Sequence, residues 1–95
     1  MIYSLAGKLL EKRGNFFVVA VGGIGIQVKS SFNILKSLPE IGEEVKIFTY
    51  LHVREDALEL YGFLTEEERQ FFELLISISG IGPKSALGIM GVEKL

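Results

Sequence analysis

The sequence predicts a mainly β chain with a helical end: five strands in a small closed or partly closed barrel, then two short helices. Three observations predict it. The first sixty-odd residues carry β-branched and aromatic runs of strand length, broken by glycine. At Thr65 the apolar spacing changes from period two to helical spacing. A chain of 95 residues, 48% hydrophobic and 23% charged, also has room for one small domain and part of another, but not two full ones.

Residues 2–12 hold short apolar runs (Leu5, Ala6; Leu9, Leu10) around Gly7, which suits a bent strand. Residues 15–21 (Asn-Phe-Phe-Val-Val-Ala-Val) read as a well-buried strand, and Gly22-Gly23 supplies the positive-φ positions of a tight turn. Ile24, Ile26 and Val28 alternate with Gly25, Gln27 and Lys29, completing a hairpin with a half-buried strand. Residues 30–40 are looser, and Pro39 keeps any helix there short. Residues 43–53 alternate again, with Val45, Ile47 and Thr49 on one face. After the break at Arg54-Glu55-Asp56, residues 57–63 resume the pattern with Leu58, Leu60, Tyr61 and Phe63. Strands of this size, joined by short connections, fit a barrel better than an open sheet with exposed edges.

Thr65-Glu66-Glu67-Glu68 is a capping box, with three carboxylates placed against the positive end of a helix dipole. That structural role accounts for the acids better than a catalytic cluster does. Phe71, Phe72, Leu75 and Ile76 give the helix a broad apolar face, and it should end before Gly80. Gly82-Pro83 opens a second helix with Ala86, Leu87, Ile89 and Met90 as its apolar residues. The expected boundary falls within residues 62–65.

Composition excludes several classes. Without cysteine there is no disulfide framework and no thiolate zinc site, which suits a reducing cytoplasm. No apolar stretch approaches the ~20 residues of a membrane span, and the opening Met-Ile-Tyr-Ser-Leu-Ala-Gly-Lys does not read as a signal peptide. A net charge of −2 argues against a nucleic-acid partner until it is divided along the chain. Residues 1–36 hold five basic side chains (Lys8, Lys12, Arg13, Lys29, Lys36) against Glu11 alone. Residues 37–73 hold three against ten acids, and residues 74–95 hold Lys84 and Lys94 against Glu93. Segregated charge of this kind can orient a charged ligand.

Gly23-Ile24-Gly25 lacks the third glycine of a dinucleotide fingerprint and lies in a hairpin; Gly82-Pro83-Lys84-Ser85 lacks the earlier glycine of a P-loop. His52, the only histidine, has no sequence-near carboxylate partner. No cofactor, metal site or catalytic residue is therefore expected. The specific signal is Ser79-Gly80-Ile81-Gly82-Pro83-Lys84. A Gly-hydrophobic-Gly turn between helices gathers backbone amides at a helix N-terminus, where they and the dipole attract an anion without reading a base. Ile81 can point into the hairpin core, and Lys84 can add a point charge to the same phosphate. The plain alternative is a glycine-capped corner between helices.

These residues, with Val21-Gly22-Gly23-Ile24-Gly25, Leu38-Pro39-Glu40, Val53-Arg54-Glu55-Asp56-Ala57 and Leu60-Tyr61-Gly62-Phe63, closely resemble the N-terminal part of the bacterial RuvA family. That family supplies the subunit that binds Holliday junctions in the RuvAB branch-migration machine. The resemblance implies an OB-type barrel (1–63) followed by a first helix-hairpin-helix (64–95). It implies a homotetramer holding an open four-way DNA junction on one face. Glu55 and Asp56 match the family's acidic pin, which repels phosphates at the crossover; Gly80, Ile81, Gly82 and Lys84 match the first DNA-gripping hairpin. The implied role is non-enzymatic and cytoplasmic, with the RuvB ATPase as partner and the RuvC resolvase as a possible one, and no membrane. Family members continue through a second hairpin and a C-terminal domain that contacts RuvB. The chain accordingly reads as a fragment, with reduced DNA affinity and no RuvB contact. The competing reading is a self-association module, in which Tyr61-Gly62-Phe63 and the following apolar helix pack between subunits. A nucleic-acid-modifying enzyme ranks third.

Overall fold

The computed structural model describes residues 1–91. Five strands, β1 (Ser4–Lys12), β2 (Phe16–Val21), β3 (Ile24–Lys29), β4 (Glu44–Val53) and β5 (Leu58–Phe63), are joined by a one-and-a-half-turn helix α1 (Phe32–Ser37) between β3 and β4. Two further helices follow, α2 (Glu66–Ile76) and α3 (Pro83–Met90). The strands close into a barrel of order β1-β2-β3-β5-β4, with β4 returning to β1. All pairs are antiparallel except β3 with β5, a parallel seam held by one registered pair, Lys29 with Tyr61, and by the Ser30 hydroxyl donating to the Gly62 carbonyl. Closure removes the free edges that an open sheet would present.

The hairpin of β2 and β3 turns on Gly22 (φ 57°) and Gly23 (φ 85°), as the pair of glycines requires. Short apolar runs in β1 resolve into period two, with Leu5 and Leu9 inside and Leu10 outside. A bulge between Leu9 and Glu11 then shifts the register and bends the strand. Strand β2 is not buried on both faces: Phe17 and Val19 fill the barrel while Phe16, Val18 and Ala20 remain half-exposed. Ile24 departs from its strand's alternation too, because it sits at the turn, where the barrel wall ends.

The barrel interior is filled by Leu5, Leu9, Phe17, Val19, Val28, Val45, Ile47 and Leu60, with Leu35 of α1 and Leu38 closing one end. A second apolar cluster lies outside the barrel, where Ile34, Tyr61 and Phe63 meet Phe72, Leu75 and Ala86. Strand β5 thus serves both cores. Leu60 and Gly62 face the interior and Tyr61 and Phe63 face the helices, so four consecutive residues are buried. This removes Tyr61, Gly62 and Phe63 from any surface that could pack between subunits.

Helix α2 begins with the full capping box: the Thr65 hydroxyl accepts from the Glu68 amide, and the Glu68 carboxylate accepts from the Thr65 amide, both at 3.1 Å. Phe72 is fully buried, with its ring centroid 5.0 Å from Phe63, 5.2 Å from Tyr61 and 5.7 Å from Tyr50. Its neighbour Phe71 points away and is exposed, because the buried arc of α2 is narrower than its apolar sequence. At the other end of the barrel wall, the Tyr3 hydroxyl donates to Glu66 and the Arg69 guanidinium covers the Tyr3 ring. His52 takes part in the same aromatic face through Tyr50 and Tyr61. No helix among the described residues is long and apolar enough to cross a membrane.

Candidate nucleic-acid interface

Three features bear on the candidate site: the corner between α2 and α3, the tip of the β4–β5 hairpin, and a cleft between barrel and helices.

The corner runs from Ser77 to Gly82. Gly80 has φ +89°, a left-handed conformation that any side chain would strain. Gly82, by contrast, has φ −92° and ψ 177°, ordinary extended values, and a Cβ there would meet nothing within 4 Å. Neither backbone strain nor crowding forces glycine at that position, although glycine is a favoured N-cap residue; its bare backbone also leaves room for close approach of another molecule. Gly82 is the N-cap of α3 and offers no side chain to the first turn. With Pro83 at the first helical position, the backbone donors left over are those of Lys84 and Ser85, while Ala86 already bonds the Gly82 carbonyl at 2.9 Å. Such amides, at the positive end of the helix dipole, attract an anion. The Ile81 amide is not among them, since it donates to the Ile78 carbonyl at 3.1 Å. Ile81 acts instead through its side chain, packed against the outer apolar cluster. Lys84 is exposed and has no ion-pair partner among the described residues.

Glu55 and Asp56 form the tip of the β4–β5 hairpin. The last ladder pair is Val53 with Leu58, and the Arg54 amide donates to the Ala57 carbonyl at 2.8 Å, leaving the two acids between them. Neither has positive φ, so the tip is not the primed turn that usually closes a two-residue hairpin. Both carboxylates are exposed and unpaired among the described residues, so their negative field is uncompensated locally. The hairpin therefore carries its acids, exposed, at its tip.

Between the barrel and α3 lies a cleft of about 670 Å³. Lys29, Arg54 and Glu59 line it from the barrel; Gly82, Lys84 and Ser85 line it from the helices. The sequence pattern puts Lys29 on the polar side of its strand and Arg54 at the break before Glu55-Asp56, and carries no sign that either meets Glu59. The only sequence signal is an acid in an otherwise apolar strand, which takes meaning once β3 is known to lie beside β5. Among the described residues no three metal-ligating side chains converge.

A closed five-stranded barrel in this order, with a helix between its third and fourth strands, is an OB-fold, and the helical pair after it is at most part of a helix-hairpin-helix unit. The family described as the RuvA N-terminal domain matches residues 1–62, and the chain belongs to it. Curated relatives named Holliday junction branch migration complex subunit RuvA are similar well beyond that segment. Those of Acetivibrio thermocellus and Chloroherpeton thalassium are 47% and 51% identical over 90 residues, covering 95% of this chain and 45% of theirs. That of Neisseria meningitidis is 49% identical over 90 residues, covering 95% of this chain and 46% of its own. The chain thus spans a little under half the length of these relatives.

Proposed function

We propose that the chain is a structure-selective DNA-binding module for four-way (Holliday) junctions, and the DNA-facing part of a branch-migration subunit. The observation that carries this is the α3 N-terminus, where first-turn amides and Lys84 have no partner among the described residues and a glycine that backbone strain does not force opens onto the same cleft. Phosphate is the ligand this arrangement suits, since it takes hydrogen bonds from amides and charge from lysine without reading sequence.

In this reading residues 1–63 are a barrel that carries the pin and residues 64–95 the first hairpin; the last four of these lie outside the described residues. Four copies around a junction place their Glu55 and Asp56 tips at the crossover. The tips repel phosphates there, so strands separate and a continuous duplex is disfavoured. Gly80 sets the corner, Ile81 anchors it, and Gly82 and Lys84 face the backbone of each arm. The role is binding in the bacterial cytoplasm rather than catalysis, with RuvB supplying the motor and RuvC acting on the same junction; the relatives are named as subunits of a Holliday junction branch migration complex.

A gel-shift comparison of a four-way junction with linear duplex tests the reading. The junction should be retarded at lower protein concentration. Lys84→Ala should weaken binding and lower the slope of log affinity against log salt by about 0.9, the loss of one phosphate contact; an unchanged slope removes Lys84 from the interface. One observation favours a second reading, self-association: Phe71, Leu74 and Ile78 expose an apolar face on and just beyond α2. Light scattering with and without a junction separates the two, because tetramers indifferent to DNA favour assembly alone.

A further inference from the structure

Glu59 has no part in the pin or the helical hairpin, yet it is the carboxylate that lines the cleft, and it is heavily partnered. It accepts from Lys29 Nζ at 3.0 Å and from the Tyr61 hydroxyl at 2.8 Å, and the Arg54 guanidinium lies 3.6 Å away. Its side chain is only 17% exposed, whereas those of Lys29 and Arg54 are 35% and 51% exposed. An acid with this setting offsets part of the cationic charge, but it also fixes where two cations stand. Tyr61 completes the arrangement. It is registered opposite Lys29 across the parallel seam, and its phenol, pushed well up by burial and by the Glu59 carboxylate, stays a donor.

The two tethered cations and Lys84 face one another across the cleft, three positive charges against one. Long basic side chains lose much conformational freedom on contacting a ligand, and tethering removes part of that loss beforehand. We infer that Lys29 and Arg54 are phosphate contacts that continue the α3 site onto the barrel, and that Glu59 is the positioning residue that holds them there. Barrel and hairpin then grip one DNA backbone jointly, and the parallel seam between β3 and β5 becomes part of the interface. This inference rests on the DNA-binding reading above.

The test is salt-dependent binding of a labelled four-way junction to the 95-residue chain, followed by fluorescence anisotropy. Lys29→Ala and Arg54→Ala should each lower the slope of log affinity against log salt by about 0.9. Glu59→Gln should weaken binding about tenfold while leaving the slope unchanged, because the contacts persist but are no longer held in place. Removal of a negative charge from a cationic cleft would by itself strengthen binding, so the sign of the Glu59→Gln effect decides the matter. Stronger or unchanged binding overturns the positioning role, and unchanged slopes for Lys29→Ala and Arg54→Ala overturn the barrel contact. Lys84→Ala, measured alongside, separates the two levels. A slope loss there alone leaves the DNA-binding reading and removes this inference; no slope loss at any of the three removes both. Lys29 and Arg54 are partly exposed, so their variants keep the test open should Glu59→Gln fail to fold.

Discussion

Gly80 and Gly82 stand two residues apart in one turn and lack side chains for opposite reasons. Gly80 needs its left-handed φ; Gly82 has an ordinary backbone and open space where a Cβ would stand. Gly62 shows a third reason, since a Cβ there would lie 2.4 Å from Val28 and 2.6 Å from Ile47 inside the barrel. Gly62→Ala should therefore cost about 1–3 kcal/mol, read as a lowered midpoint in urea. Gly82→Ala should lower that midpoint much less, through the poorer N-cap alone, while weakening junction binding. The glycine motif was legible as a signal, but which of its glycines the backbone requires was not, because that depends on φ and on neighbours remote in sequence. Glu59 was illegible for the same reason: Lys29 is thirty residues away. Its carboxyl is held below its ordinary value of 4.5, first by the Tyr61 hydroxyl and then by Lys29. A depressed carboxylate stabilises the fold above the unfolded pKa and ceases to as pH falls through the folded one. Stability should thus decline as pH drops below about 4.5, and Glu59→Gln should flatten that part of the curve, measured by chemical denaturation at stepped pH.

At the scale of elements, local chemistry predicted most of what formed. The capping box of α2, Pro83 at the start of α3 and the Gly22-Gly23 hairpin are all decided within a few residues, and all three are present. What local pattern could not give was which apolar residues stay outside. Phe71 and Ile24 fit their periodicities but have nothing to pack against, since burial depends on how far the neighbouring element extends. Helix α3 carries a further test of the element scale. Gly88 lies inside it, with no atom within 4 Å of where a Cβ would be. Gly88→Ala should raise stability by about 0.5–1 kcal/mol through helix propensity alone, seen as a higher urea midpoint with unchanged m-value. The contrast with Gly62→Ala makes the pair a check on the packing itself.

The whole molecule is a barrel and a helical pair sharing one strand. Because β5 is buried on both faces, the helices are held to the barrel through Phe72, seated among Tyr50, Tyr61 and Phe63. That union makes the cleft, bringing the α3 N-terminus against Lys29 and Arg54. Strand count and the change to helices were readable from the chain, but the parallel closure of β3 on β5 was not. One registered pair across a sequence gap of thirty-two residues leaves no periodic trace. The segregated charge acquires a shape at this scale: acids exposed at a hairpin tip, cations gathered in a cleft, and a net charge that describes neither. In the proposed function the tip selects branched DNA while the cleft binds it. The most direct measurement is the ratio of four-way-junction to linear-duplex affinity, by competition anisotropy, for the chain and for the double variant Glu55→Gln with Asp56→Asn. The chain should prefer the junction, and that preference should collapse in the variant as duplex binding strengthens; an unchanged ratio would remove the tip from junction selection.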